Sequence, residues 1–248
     1  MSGHSKWATI KHKKAALDSK RGKVFTRIIK EIMIAARNGG DVDANPRLRT
    51  AVAAAKAVSM PNDNIKRAIM RGTGELEGGM IEEFAYEGYG PGGVAVIVEV
   101  ATDNKNRTVS EIRHAFSKHG GNMGEQGSVA WMFERKGQVI LEAEKAPGED
   151  ELMGLVLDAG ADDLRQEGDS WEILTPPEAM PAVQEALEKA KIPVVEAKIA
   201  MVAKNLVPVE GSNVKGLLKL LDVLEEHDDV QNVFSNADID EKEMEALA

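Results

Sequence analysis

From Lys23 to Arg37 the apolar residues recur with the period of an α-helix. At about 100° per residue, Phe25, Ile28, Ile29, Ile32, Met33 and Ala36 gather on one side, while Lys23, Arg27, Lys30 and Arg37 gather on the other. The pattern predicts an amphipathic helix with a cationic outer stripe. Order is expected to begin near Gly22, because residues 1–22 lack a long apolar stripe and suggest a mobile basic arm. Gly39 and Gly40 end the first helix. Asn45 then suits an N-cap with Pro46 at the first helical position, opening an Ala-rich helix to about Ser59. Pro61 and Asp63 open a third, in which Ile65, Ala68 and Ile69 face inward and Lys66, Arg67 and Arg71 outward, before Gly72 stops it. A small helical bundle is the expected product.

Beyond a Gly-rich, Glu-containing linker at residues 72–80 the period changes to that of strands. Val94 to Val100 is a β-branched run behind turn-forming Gly88 to Gly93, Thr108 to His119 is helical, and Ser128 to Phe133 predicts a further strand. Residues 137–201 then give strand, helix, strand, strand, helix, strand, the order of a ferredoxin-like split unit. The extended piece Leu206 to Val209, the helix Val214 to His227 and the strand near Val230 to Ser235 cannot stand alone, so they should rejoin the sheet begun at 80. The expected fold class is α+β multidomain: an N-terminal helical bundle plus two α+β domains, the third ferredoxin-like and inserted in the second. The expected boundaries are 1–76 for arm and bundle, 77–135 with 205–240 for the second domain, 136–204 for the third, and 241–248 for an acidic tail.

Composition narrows the class. The 248 residues are 43% hydrophobic, enough for real cores. With no cysteine, disulfides, thiol nucleophiles and thiolate metal sites are excluded, which fits a reducing compartment. No apolar run approaches the roughly 20 residues a bilayer needs, and Lys and His interrupt the N-terminus where a signal peptide would be apolar. Met1 reads as the mature start, and a cytoplasmic protein without membrane contact is expected. Charge changes the picture more. Residues 1–74 hold 16 Lys/Arg against 5 Asp/Glu, and the remainder 15 against 36, so a protein of net charge -10 has a strongly basic head. Nucleic acid favours such a surface because each neutralised phosphate releases condensed counterions.

The candidate contacts are Lys6, Trp7, Lys11, His12, Lys13, Lys14, Lys20, Arg21, Lys23, Arg27, Lys30 and Arg37, with Lys66, Arg67, Arg71, Lys105 and Arg107 as secondary contacts. Ordinary soluble surfaces intersperse both signs, whereas the first 30 residues carry nine Lys/Arg and one acid. Trp7 would stack on an unpaired base or anchor the arm onto the bundle. His4 and His12 are minor phosphate donors. Glu87 to Gly93 (EGYGPGG) superficially resembles a phosphate loop but precedes a strand, so a turn is expected. Thr102 to Thr108 (TDNKNRT) supplies Asx-turn and capping side chains, from which Lys105 and Arg107 would project. His114 and His119 stand about 140° apart around one helix, a poor pair for a metal. No HExxH, GxSxG, Walker loop or Cys/His set occurs, so neither catalytic residues nor cofactor nor metal is expected.

The strings GHSKWATIKHKKAALDSKRGKVFTRIIKEI, NPRLRTAVAAAKAVSMPNDNIKRAI, EGYGPGGVAVIVEVATDNKNRT and GSVAWMF occur in that order and together resemble the YebC family over essentially the whole chain. Ser59 and Met123 stand where that pattern has Asn and Leu. The resemblance implies a helical bundle and two α+β domains, the third inserted in the second. It implies probable DNA-binding transcriptional regulators, with mitochondrial relatives that activate translation of a cytochrome oxidase subunit and bacterial ones implicated in relieving ribosomes paused on proline runs. It supplies no catalytic residues. The expectation is therefore a non-enzymatic, monomeric nucleic-acid-binding regulator of gene expression, with duplex DNA or ribosomal RNA, and with it the ribosome, as the competing partners. A hydrolase or small-molecule-binding protein using the Gly88 to Gly93 and Thr102 to Thr108 loops is the remaining alternative.

Overall fold

A computed structural model describes residues 17–240 and 243, without the side chains of residues 17–21 and 167. Helix α1 (Leu17–Ala36) starts one and a half turns before Gly22, so order extends into the expected arm. Helix α2 (Pro46–Ala57) begins as its sequence predicts: the Asn45 side-chain oxygen accepts from the Leu48 N–H at 3.1 Å with Pro46 behind it. The amide of Asn45 also donates to the carbonyls of Ala35 and Gly39, each at 2.8 Å. One side chain thus satisfies orphan groups at the end of α1 and the start of α2. Helix α3 (Asn62–Thr73) ends at Gly74, which takes the left-handed conformation, φ 83°. Gly72 lies inside the helix instead of stopping it. A Cβ there would meet the Met33 carbonyl oxygen at 2.4 Å and the Ala36 Cβ at 2.7 Å, so Gly72 permits the close approach of α3 to α1.

The second domain holds a sheet ordered β3-β1-β2-β9. Strand β1 (Glu82–Gly90) escaped the sequence reading, because Gly88, Gly90 and three glutamates depress its strand character. The glycine at 88 is a packing requirement: its Cβ would fall 2.7 Å from Asn122 O and 2.8 Å from Phe116 Cε1. Pro91–Gly93 turns the chain into β2 (Val94–Thr102), which pairs along all of β1. Helix α4 (Lys105–Lys118) and the short β3 (Asn122–Met123) follow. The expected strand Ser128 to Phe133 is instead a loop and a 3₁₀ turn, Ala130–Met132.

The chain then leaves for β4 (Phe133–Glu142), α5 (Glu149–Asp158), β5 (Asp163–Glu167), β6 (Ser170–Thr175), α6 (Met180–Lys189) and β7 (Val194–Ala203). Their antiparallel sheet is ordered β5-β6-β4-β7, the ferredoxin-like arrangement in which the first and third strands lie centrally. It returns through β8 (Val207–Pro208), α7 (Ser212–Glu226) and β9 (Val230–Ser235), and β9 pairs antiparallel with β2 before β10 (Ala237–Asp238) joins β8. The fold is α+β and multidomain, with the ferredoxin-like unit inserted in the second domain. Val96, Val98, Phe116, Leu217 and Leu221 are core residues beneath α4 and α7; Val139, Leu141, Leu152, Ile173 and Leu187 fill the inserted domain. No helix among the described residues is long and apolar enough to cross a membrane.

Candidate functional site

The bundle is not a free head. Its core of Ile32, Leu48, Val52 and Ile65 extends onto Ile81 and Ala101 of the second domain, and the cationic stripe of α1 lies over the end of α7. Lys23 Nζ donates to the Glu226 carbonyl at 3.0 Å, Arg27 Nε to that of Val230 at 3.1 Å and its other nitrogen to that of Glu225 at 2.5 Å, and Lys30 Nζ to that of Asp228 at 2.8 Å. Arg37 donates to the Ile81 carbonyl. The last carbonyls of a helix have no partner within it and carry the negative end of its dipole. The last turn of α7 carries Glu225 and Glu226 and no basic residue, the reverse of what the dipole favours. Helix α1 supplies the missing cations from outside. The outward stripe expected of Lys23, Arg27, Lys30 and Arg37 is therefore corrected: these side chains serve the junction between domains.

Asp229 is the centre of that junction. Its carboxylate accepts from Lys30 Nζ at 2.6 Å, Thr108 Oγ1 at 2.7 Å, Arg107 at 2.9 Å and Thr102 Oγ1 at 3.1 Å. Burial by itself would push the acid up, but the hydrogen bonds from Lys30, Thr108 and Arg107 outweigh it and hold the carboxyl well below the usual carboxylate range. Its backbone N–H donates to His227 Nδ1 at 3.0 Å, and His227 Nε2 lies 2.8 Å from Glu111. Arg47 adds a peripheral tie, reaching Glu31 at 2.8 Å and Glu83 on β1 at 2.7 Å. Of the loop residues expected to project, Arg107 binds Asp229 and Asp103, while Lys105 covers the Phe84 ring at 4.4 Å. The capping reading of the loop holds: Asn104 accepts from the Arg107 N–H at 3.1 Å, and Thr102 Oγ1 from the Asn104 N–H at 2.9 Å.

Lys66, Arg67 and Arg71 behave differently. With Met70 they form the exposed face of α3, opposite buried Ile65 and Ala68, and none makes an ion pair or side-chain hydrogen bond to another described residue. Asp63 shares that face, leaving it net cationic. Lys6, Trp7, Lys11, His12, Lys13 and Lys14, with the side chains of Lys20 and Arg21, lie outside the described residues. Among the described residues no group of His, Asp and Glu has the arrangement of a metal site.

Residues 5–75 match the model of the TACO1/YebC protein N-terminal domain, and residues 81–237 that of the TACO1/YebC second and third domain. The chain belongs to the TACO1/YebC family. Among its relatives, a protein of Solibacter usitatus is 71% identical over the full length of both chains, and one of Geobacter sulfurreducens is 56% identical over the same span; each is named a probable transcriptional regulatory protein. The crystal structure of a conserved hypothetical protein from Aquifex aeolicus is 46% identical, with a TM-score of 0.84, covering 92% of this chain and 94% of that one. Sequence reasoning about this TACO1/YebC chain missed Asp229. The available signal was an acidic helix end, Glu225 to Asp229, with no Lys or Arg of its own, opposite in sign to a cationic stripe elsewhere.

Proposed function

We propose that the chain is a non-enzymatic, nucleic-acid-binding regulator of gene expression in the cytoplasm, acting on duplex DNA. The observation that carries this reading is the α3 face. Lys66, Arg67 and Arg71 stand exposed without an acceptor among the described residues, in a bundle whose other cationic stripe is consumed internally. The sequence adds Lys6, Lys11, Lys13, Lys14, Lys20 and Arg21 as further candidate phosphate contacts. The names of the Solibacter and Geobacter relatives support a transcriptional role. A ribosomal RNA partner is the second reading, favoured because the α3 face sets Lys66, Arg67 and Arg71 around Met70 as a general cationic stripe, suited to phosphate and shape.

Gradient sedimentation of a lysate separates the two. Retention of a promoter fragment above random duplex at roughly physiological ionic strength, about 0.15 M, with the chain absent from ribosomal fractions, supports DNA. Co-migration with ribosomes, lost on reversing Lys11, Lys13, Lys14, Lys66 and Arg67 to Glu, supports RNA. A chain that binds neither in dilute buffer contradicts both.

A further inference from the structure

Trp131 is an exposed aromatic side chain of the second domain, with 65% of its surface open. It sits on the 3₁₀ turn Ala130–Met132, and the turn is fastened from below by a buried carboxylate. Glu87 on β1 accepts from the N–H groups of Gly127, Val129 and Ala130, each at 2.7 Å. Burial opposes the charge on Glu87, and the three backbone donors hold its carboxyl below its ordinary value. The Tyr89 hydroxyl donates to the Ser128 carbonyl at 3.2 Å, and the Trp131 indole N–H to the same carbonyl at 3.1 Å. The one polar atom of the ring is therefore already used, its tilt is fixed, and what remains on offer is a π face.

Such a face accepts a planar ring or a cation. The charge beside it separates these. Lys204 Nζ donates to the Trp131 carbonyl at 3.0 Å, and the Lys204 backbone N–H donates to that of Met132 at 2.9 Å, which pins the ammonium at the backbone of the turn that carries the ring. Exposed Arg135 follows two residues into β4, about 7 Å of strand beyond Phe133. Lys136 is shared between Asp162 at 2.8 Å and Glu134 at 3.4 Å, which leaves Arg135 and Lys204 as the two cations set against the one surplus acid. An incoming cation meets repulsion here, whereas a flat ring joined to phosphate meets attraction.

We propose that Trp131 is a stacking platform for an unpaired nucleobase, with Lys204 taking an adjoining phosphate. This rests on the nucleic-acid reading above and adds single-stranded polymer to it. A base so held is recognised by its π face, so preference for sequence is weak.

Titration of labelled single-stranded oligonucleotides, and of a duplex of equal length, against the full chain tests the proposal. Trp131→Ala should weaken single-strand binding about 5- to 150-fold, leave duplex binding unchanged and leave thermal stability near that of the parent, because the ring is mostly exposed. Trp131→Phe should restore most of the loss. Equal single-strand affinity in parent and Trp131→Ala overturns the platform while the parent's binding leaves the broader reading standing. Parallel losses for duplex and single strand, or loss of binding to a proline-rich peptide with oligonucleotide binding intact, overturn it too. A parent chain that ignores nucleic acid altogether removes both readings.

Discussion

Helices α1 and α3 of the bundle each carry a cationic side opposite an apolar one. Lys23, Arg27, Lys30 and Arg37 are spent on the second domain, whereas Lys66, Arg67 and Arg71 face solvent. Helical period tells which residues share a side; it does not tell what lies across from that side. The difference between the two helices is the acidic C-terminal end of α7. Its orphan carbonyls, and the Asp229 carboxylate beyond them, make a partly desolvated anionic socket for α1, where charge-assisted bonds are stronger than on an open surface. A basic stripe is a binding surface for a foreign polyanion only when the chain itself offers nothing better.

The sharpest way to break this contrast is to remove the socket. Asp229→Ala leaves Lys30 and two threonine hydroxyls without their shared acceptor and should cost about 3 to 5 kcal/mol in urea unfolding. The pH dependence has a definite sign. A carboxyl depressed in the folded state contributes stability that is fully present above its unfolded value, near 4, and that is lost as pH falls from there toward the folded value. The parent should therefore lose stability below about pH 4 more steeply than Asp229→Asn, and equal slopes would show that the carboxylate is not the holdfast. Arg27→Ala removes donors to the carbonyls of Glu225 in α7 and Val230 in β9 and should cost about 2 kcal/mol. Burial pushes the guanidinium down from its ordinary value and the Glu225 charge opposes that shift. Lys23→Ala, at the exposed margin, should cost about 0.3 to 1 kcal/mol and less at high salt. At the other end of the scale, Lys66→Ala, Arg67→Ala and Arg71→Ala should each change stability by at most about 0.5 kcal/mol.

Much of this architecture is legible in the sequence. The strands Ser170 to Thr175 and Val230 to Ser235 emerge at their observed positions, as does the N-cap Asn45, because each is dictated by local periodicity or capping chemistry. Strand β1 is not legible: Gly88 serves packing against Phe116 and Asn122 and Gly90 against Leu217 and Leu220, a reason that exists only once the fold is formed. Gly72 misleads for the same cause, reading as a stop where it is a contact. The junction shows the same limit at longer range. Lys30 and Asp229 are recognisable as charges, but nothing local reveals that 199 positions along the chain bring them within 2.6 Å. Glu87 and Trp131 are likewise ordinary in sequence, and only the three converging N–H groups make the first an anchor and the second a fixed face.

The most direct test is the salt dependence of duplex DNA and ribosomal RNA affinity, measured for the parent, for the triple variant Lys66→Ala/Arg67→Ala/Arg71→Ala, and for Lys23→Ala. If the α3 face meets phosphate, the triple variant should lower the magnitude of the log–log slope by about 2 to 3 and leave unfolding nearly unchanged, while Lys23→Ala should leave the slope intact. An unaltered slope in the triple variant, or a reduced slope in Lys23→Ala, would contradict the division of labour between the two helices.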